Sequence, residues 1–268
     1  MRKVFVLLCF AALVSSRASA ELKYTLKTEV QKPEAQKKEA SASQAPNPML
    51  AMMGDALTRQ LLPEGTATMT YLIGEKGTRI EFVNAAMGQA AGTVTLIQPD
   101  GTALMLNPKD QTYWKAALQG AASAMQAAGL TPQVTSSRTG EVETVAGVKC
   151  ERSTFTMKMD LPIPPSARAS LGADFPSYIE MSGETCSTTD QFQNYASMAA
   201  KTQATGMLAA MGIDKLTQGG IVLRQSLRMG GVEIRSAVTD IAEVPAPEGA
   251  FEIPAGYKEV PPPASTPR

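Results

Sequence analysis

Short segments in which apolar and polar side chains alternate recur along this chain, and most of them stop at a proline, glycine, asparagine or aspartate turn. A strand presents successive side chains to opposite faces, so a period of two with one apolar set marks a sheet that is buried on one side. Residues 22–30 set Leu22, Tyr24 and Leu26 against Lys23, Thr25 and Lys27. Residues 66–73 set Ala67, Met69, Tyr71 and Ile73 against three threonines, and residues 78–83 follow after a Gly74–Gly77 turn, which predicts a hairpin. Residues 93–97 and 102–106 flank Pro99-Asp100-Gly101, where proline presets φ and glycine accepts positive φ. Asn107-Pro108-Lys109-Asp110 turns the chain into residues 111–114. Later, 150–159 place Phe155, Met157 and Met159 on one side, and 178–186 make a further strand. Residues 221–229 and 232–242 flank Gly230-Gly231, a connection that suits a tight hairpin.

Helical spacing is confined to three places. Leu50, Met53, Leu57 and Leu61 space a helix over 49–62 that Pro63 stops, and 116–128 are alanine-rich. Thr189 or Asp190 caps a helix running to about Met211, with Phe192, Tyr195, Ala199 and Met207 along one side. Many strands with one apolar face and a few helices predict an α+β fold: a curved antiparallel sheet, unclosed, with helices covering its concave face.

The first twenty residues stand apart. Arg2 and Lys3 precede an apolar run from Val4 to Val14, and Ala18-Ser19-Ala20 ends it as a small-residue cleavage site. A spanning helix needs about 20 apolar residues, so this run reads as a cleavable export signal and the processed chain starts at Glu21 with no transmembrane segment. Cys9 lies inside the apolar run, which leaves no acceptor for a lipid anchor after the cut. The expected organisation is a signal at 1–20, one domain over 21–257 with a flexible Pro/Ala/Gln insertion at 31–48, and a disordered proline-rich tail at 258–268.

Composition narrows the function classes. Removing Arg2, Lys3 and Arg17 leaves 22 basic against 25 acidic residues, a net charge of −3 with no basic patch for nucleic acid. There is no histidine, so histidine-based triads and most zinc sites are excluded. Cys-x-x-Cys, Gly-x-Ser-x-Gly, a phosphate-binding loop and a calcium loop are absent too. We therefore expect a non-enzymatic protein with no catalytic residues, cofactor or metal.

Asp100 to Tyr113, Val145-Ala146-Gly147-Val148-Lys149-Cys150-Glu151 and Phe251-Glu252-Ile253-Pro254-Ala255-Gly256-Tyr257 together resemble a bacterial exported family of unknown function. That family is similar to the LolA-like outer-membrane lipoprotein-sorting proteins. The resemblance extends over roughly residues 21–257. It implies an unclosed half-barrel with a helical lid over an apolar cavity, and a periplasmic location.

Candidate site residues follow from the strand faces. Met69, Tyr71, Ile80, Phe82, Phe155, Met157, Leu223 and Leu227 are expected to line the cavity. Cys150 and Cys186, the two cysteines after the leader, predict a structural disulfide in an oxidising compartment. If their strands pair, the bridge closes a loop of about 35 residues, for about 3–4 kcal/mol of stabilisation. Fourteen of the 15 methionines follow the leader and suit either an ordinary core or an adaptable apolar surface. Trp114 beside Tyr113 marks either a ligand rim or a sheet edge. Two functions are consistent with these features: binding of a lipid, acyl chain or lipidated protein, or an envelope interaction module with a self-packed core and a protein partner.

Overall fold

The computed structural model describes residues 20–31, 62, 65–116, 132–161, 177–204, 220–229 and 232–262. They form one twelve-stranded sheet, in the order β12-β6-β5-β4-β3-β2-β1-β11-β10-β9-β8-β7. The strands are β1 (Ala20–Gln31), β2 (Thr66–Gly74), β3 (Gly77–Phe82), β4 (Val94–Ile97), β5 (Ala103–Asn107) and β6 (Thr112–Ala116). They continue with β7 (Pro132–Val145), β8 (Val148–Asp160), β9 (Tyr178–Thr188), β10 (Val222–Met229), β11 (Val232–Pro245) and β12 (Lys258–Glu259). The sheet consists of two antiparallel meanders, β1–β6 and β7–β11. They are joined where the first strand pairs with the last long one, β1 with β11.

This architecture corrects the α+β expectation. Among the described residues there is one helix, α1 (Gln193–Ala204), so the fold is nearly all sheet and not a sheet with helices spread over its face. The expected helices at 49–62, Leu62 excepted, and at 116–128, except Ala116, which ends β6, lie outside the described residues. Nor is the sheet purely antiparallel, because β12 runs parallel to β6. Lys258 and Glu259, expected in a disordered tail, make that strand: Lys258 donates its N–H to Gln111 and Val260 donates to Tyr113. Pro261 and Pro262 have no N–H to continue the ladder.

The longest strand missing from the sequence reading is β7. Its side chains are exposed over most of its length because it is an edge strand paired only with β8, so no apolar alternation marks it. Its register shifts between Arg138 and Val142, an irregularity that suits a protected edge. The β7–β8 hairpin turns through Ala146 and Gly147, both at positive φ (49° and 80°), as a two-residue primed turn requires.

Other turns match their residues. Asp100 accepts the Thr102 N–H at 2.8 Å, and Asn107 accepts that of Lys109 at 3.1 Å. The segment after β11 packs against β3–β6 on one face. Ile253 and Tyr257 cover Val94, Leu96, Leu104 and Leu106, and Arg79 donates to the Ala250 carbonyl. β4 and β5 are thus buried on both sides, which explains their nearly unbroken apolar character.

Candidate functional site

Strand register decides which side chains share the face opposite that C-terminal segment. One row crosses seven strands: Ile241, Tyr24, Tyr71, Ile80, Thr95, Met105 and Trp114 are successive cross-strand partners from β11 through β1 to β6. Beside it run Phe82, Met69, Leu26 and Val238. A third row carries Val30, Ile234, Leu227, Gly183 and Phe155 from β1 to β8. Direct partners project to the same side, so the three rows share one face. A polar row of Thr28, Ser236, Gln225, Thr185 and Ser153 lies between the second and the third, and the apolar stripe from β3 to β8 passes it through Ala67, against whose cluster Val30 and Ile234 pack.

Seven of the eight expected cavity residues lie along this stripe. Met69, Tyr71, Ile80, Phe82, Leu227 and Phe155 are in the rows, and Met157 follows Phe155 by two positions. Leu223 sits in the register irregularity between Val222 and Arg224. Packing nevertheless divides them. Met69 and Phe82 are core with Leu62, and Tyr71 and Ile80 pack against them. Phe155 and Met157 join Met181, with Leu227 alongside. Leu223 belongs to a third cluster with Leu22, Tyr24, Ile73, Cys150, Cys186 and Tyr195. The stripe also includes Tyr24 and Leu26, which alternation put on one strand face but not among the expected cavity residues, and Val30 and Ile234, which it did not single out; strand register was the missing signal.

The side chains on the stripe are adapted to one another. Tyr24 and Tyr71 stack with centroids 4.6 Å apart and planes 8° from parallel. Burial raises both phenol pKa values, that of Tyr71 to about 12 and that of Tyr24 well above the ordinary value, where the neighbouring Tyr71 adds to the effect. Thr95 donates to the Met105 sulfur at 3.1 Å. Gly183 makes room for the Phe155 ring: a β-carbon there would stand 2.8 Å from Phe155 Cζ and 2.0 Å from the Ser226 carbonyl oxygen. Trp114 and Tyr113, read from sequence as one aromatic pair, point to opposite faces. Trp114 continues the apolar row, and Tyr113 packs with Ile253 and Tyr257 and donates to Glu259.

Helix α1 follows β9 and buries Tyr195, Ala196 and Ala199, with Phe192 and Met198 packed at the same cluster. Tyr195 donates its hydroxyl to the Ala20 carbonyl at 2.8 Å. Its pKa is raised first by burial and then by the charges of Glu243 and Glu21.

On the other side of β1, β11, β10 and β9 lies a cleft of about 460 Å³, whose charged lining includes Lys27, Glu29, Glu184, Arg224, Arg228, Glu233 and Arg235. Its charges are engaged with one another. Lys27 meets Glu29 at 2.6 Å, Arg235 meets Glu233 at 2.8 Å, Arg224 meets Glu143 at 2.8 Å, and Arg152 holds Glu184 at 2.7 Å as well as Glu141. The hydrogen bond from Arg235 lowers the Glu233 pKa, burial opposes it, and the Arg228 charge adds to the lowering. Cations and carboxylates here satisfy each other, which describes a bridged sheet face more than a nucleophile or a general base.

The disulfide is present: Cys150 on β8 and Cys186 on β9 are bonded with Cα atoms 5.3 Å apart, both almost fully buried. Glu143 approaches the two sulfurs closely enough to complete a three-ligand group, but sulfurs bonded to each other are not thiolate ligands. No helix among the described residues is long and apolar enough to cross a membrane.

No curated protein matches the chain. Residues 53–162, which include the complete strands β2 to β8, match the model of a domain of unknown function, DUF4412.

Proposed function

We propose that this is a non-enzymatic exported protein of the cell envelope that holds a lipid, an acyl chain or the acyl part of a lipidated protein along its apolar stripe. The observation that carries this reading is the continuity of the stripe across the sheet, with Leu26, Val30, Tyr71, Ile80, Ile234 and Leu227 only partly buried at its surface. An acyl chain laid on such a surface gains about 0.8 kcal/mol per methylene removed from water and needs no polar recognition motif. The lack of histidine and the mutual pairing of the cleft charges agree with a binder. A buried disulfide agrees with an oxidising compartment such as the periplasm, and the unclosed sheet agrees with the LolA-like resemblance.

The test is native mass spectrometry of the protein purified from the periplasm, before and after denaturation, followed by titration with a fluorescent fatty acid. Stoichiometric mass lost on denaturation, or saturable fatty-acid binding, is the expected result. An apo mass that stays unchanged after lipid incubation, with no fatty-acid binding, overturns the reading. It would favour the second one, an envelope interaction module. That reading is supported by the near-complete burial of Met69, Phe82, Phe155, Met157 and Leu223 among the protein's own residues.

A further inference from the structure

Strand β1 begins at the junction where the leader is expected to be cut, and that junction is built into the sheet. Ala20 pairs with Pro245 and Glu21 with Val244 on β11, while Leu22 pairs with Ile73 on β2. The Ala20 carbonyl accepts the Tyr195 hydroxyl at 2.8 Å. Glu21 is 1% exposed. Its carboxylate occupies the space of the missing Gly74 side chain, with an oxygen 1.2 Å from where a β-carbon would stand. A peptidase needs its scissile segment free to bind in extended form, whereas both residues flanking this bond belong to the ladder of a central strand.

We propose that cleavage between Ala20 and Glu21 precedes the docking of β1 onto β11, and that the α-ammonium it creates on Glu21 becomes a structural group held by Tyr195 and Glu243. The proposal rests on the cleavable-leader reading of residues 1–20. The peptidase adds one water across the Ala20–Glu21 bond; the new carboxylate leaves on Ala20 with the leader, and the ammonium remains on Glu21. The nitrogen stands within about 5 Å of the Tyr195 oxygen, the length of the existing hydrogen bond plus the fixed oxygen-to-nitrogen span of a peptide unit. Glu243 is the β11 partner of Leu22, and its carboxylate faces the same phenol. Cleavage thus removes the carbonyl that Tyr195 bonds and adds a positive charge where Glu21 and Glu243 supply two negative ones. The order of synthesis provides the opportunity, because β11 is the second-last strand in sequence and β1 cannot close until it has been made.

Three measurements test this. The mass of the exported chain must show a start at Glu21; any other start refutes the leader reading, and the proposal with it. With that start established, the exported form is compared with a chain that keeps Ala20 as its first residue, each with and without Glu243→Gln. The Ala20-start chain is expected to melt about 2–4 °C lower. Glu243→Gln should lower the midpoint of the Glu21-start form alone, whereas Tyr195→Phe should lower both, because the Ala20-start chain loses its bond to the Ala20 carbonyl instead. Equal midpoints for the two starts, or an equal effect of Glu243→Gln on both, overturn the ammonium role. Finally, leader peptidase should cut the refolded full-length precursor about tenfold or more slowly than the same precursor kept unfolded. Equal rates overturn the proposed order.

Discussion

Replacing Cys150 and Cys186 together by alanine isolates the contribution of the bridge, because alanine adds no polar atom to the buried site. The two residues are 36 apart in sequence. In the chain-entropy account, a closed loop of that length removes about 3.8 kcal/mol of conformational freedom from the unfolded chain at 25 °C. For a domain of this size each kcal/mol moves the melting temperature by about 2–4 °C, so the double variant should melt about 8–15 °C lower. Trp114, the only tryptophan, lies on the apolar row of β6, and its fluorescence reports the transition. Urea unfolding of the variant and of the oxidised parent, followed by Trp114 emission, should shift the midpoint with a nearly unchanged native spectrum. Equal midpoints would show that the bridge does not constrain the unfolded chain and would refute the reasoning. Because both sulfurs are almost fully buried, the parent should also resist reduction until it unfolds.

Gly183→Ala should destabilise by about 1–3 kcal/mol, since its β-carbon would meet the backbone oxygen of Ser226, which has little freedom to move; a midpoint equal to the parent's would refute the close approach. Stability should fall as pH rises above about 10, because the unfolded tyrosines ionise there, whereas Tyr71 keeps its proton to about 12 and Tyr24 also titrates high. Ultraviolet tyrosinate absorbance checks this, and two normal titrations in the folded protein would contradict the burial. Ile80→Asp and Leu227→Asp should weaken fluorescent fatty-acid binding about tenfold or more, while Val83→Asp, at an exposed position off the stripe, should leave it unchanged. Equal binding by all three would dissociate the stripe from the ligand.

Local chemistry made much of the sheet legible. Residues 22–30, 66–73, 78–83 and 150–159 alternate because each strand has one buried side, and Pro99-Asp100-Gly101 carries its turn in three residues. Cys150 and Cys186 could be joined from sequence because both lie in patterned strands and no other cysteine follows the leader. Strand β7 was not legible: an edge strand needs one ladder and no apolar face, so Ser136, Ser137 and Thr139 carry no alternation that marks a strand. Likewise Lys258 and Glu259 bear no strand signal and pair only because the residues before them pack against β4 and β5.

The candidate site was legible residue by residue and hidden as an arrangement. Alternation shows that Met69, Phe82, Phe155 and Leu227 are inward-facing, since the side of a strand is a local property with a period of two. Which strand lies beside which is not local. The pairing of β1 with β11 joins two strands far apart in sequence and makes one stripe of two meanders. The division of those residues among three packed clusters depends likewise on twist, register irregularities and the placement of α1. Such long-range pairings are chosen by the total area buried when the sheet assembles, a quantity that no single segment contains.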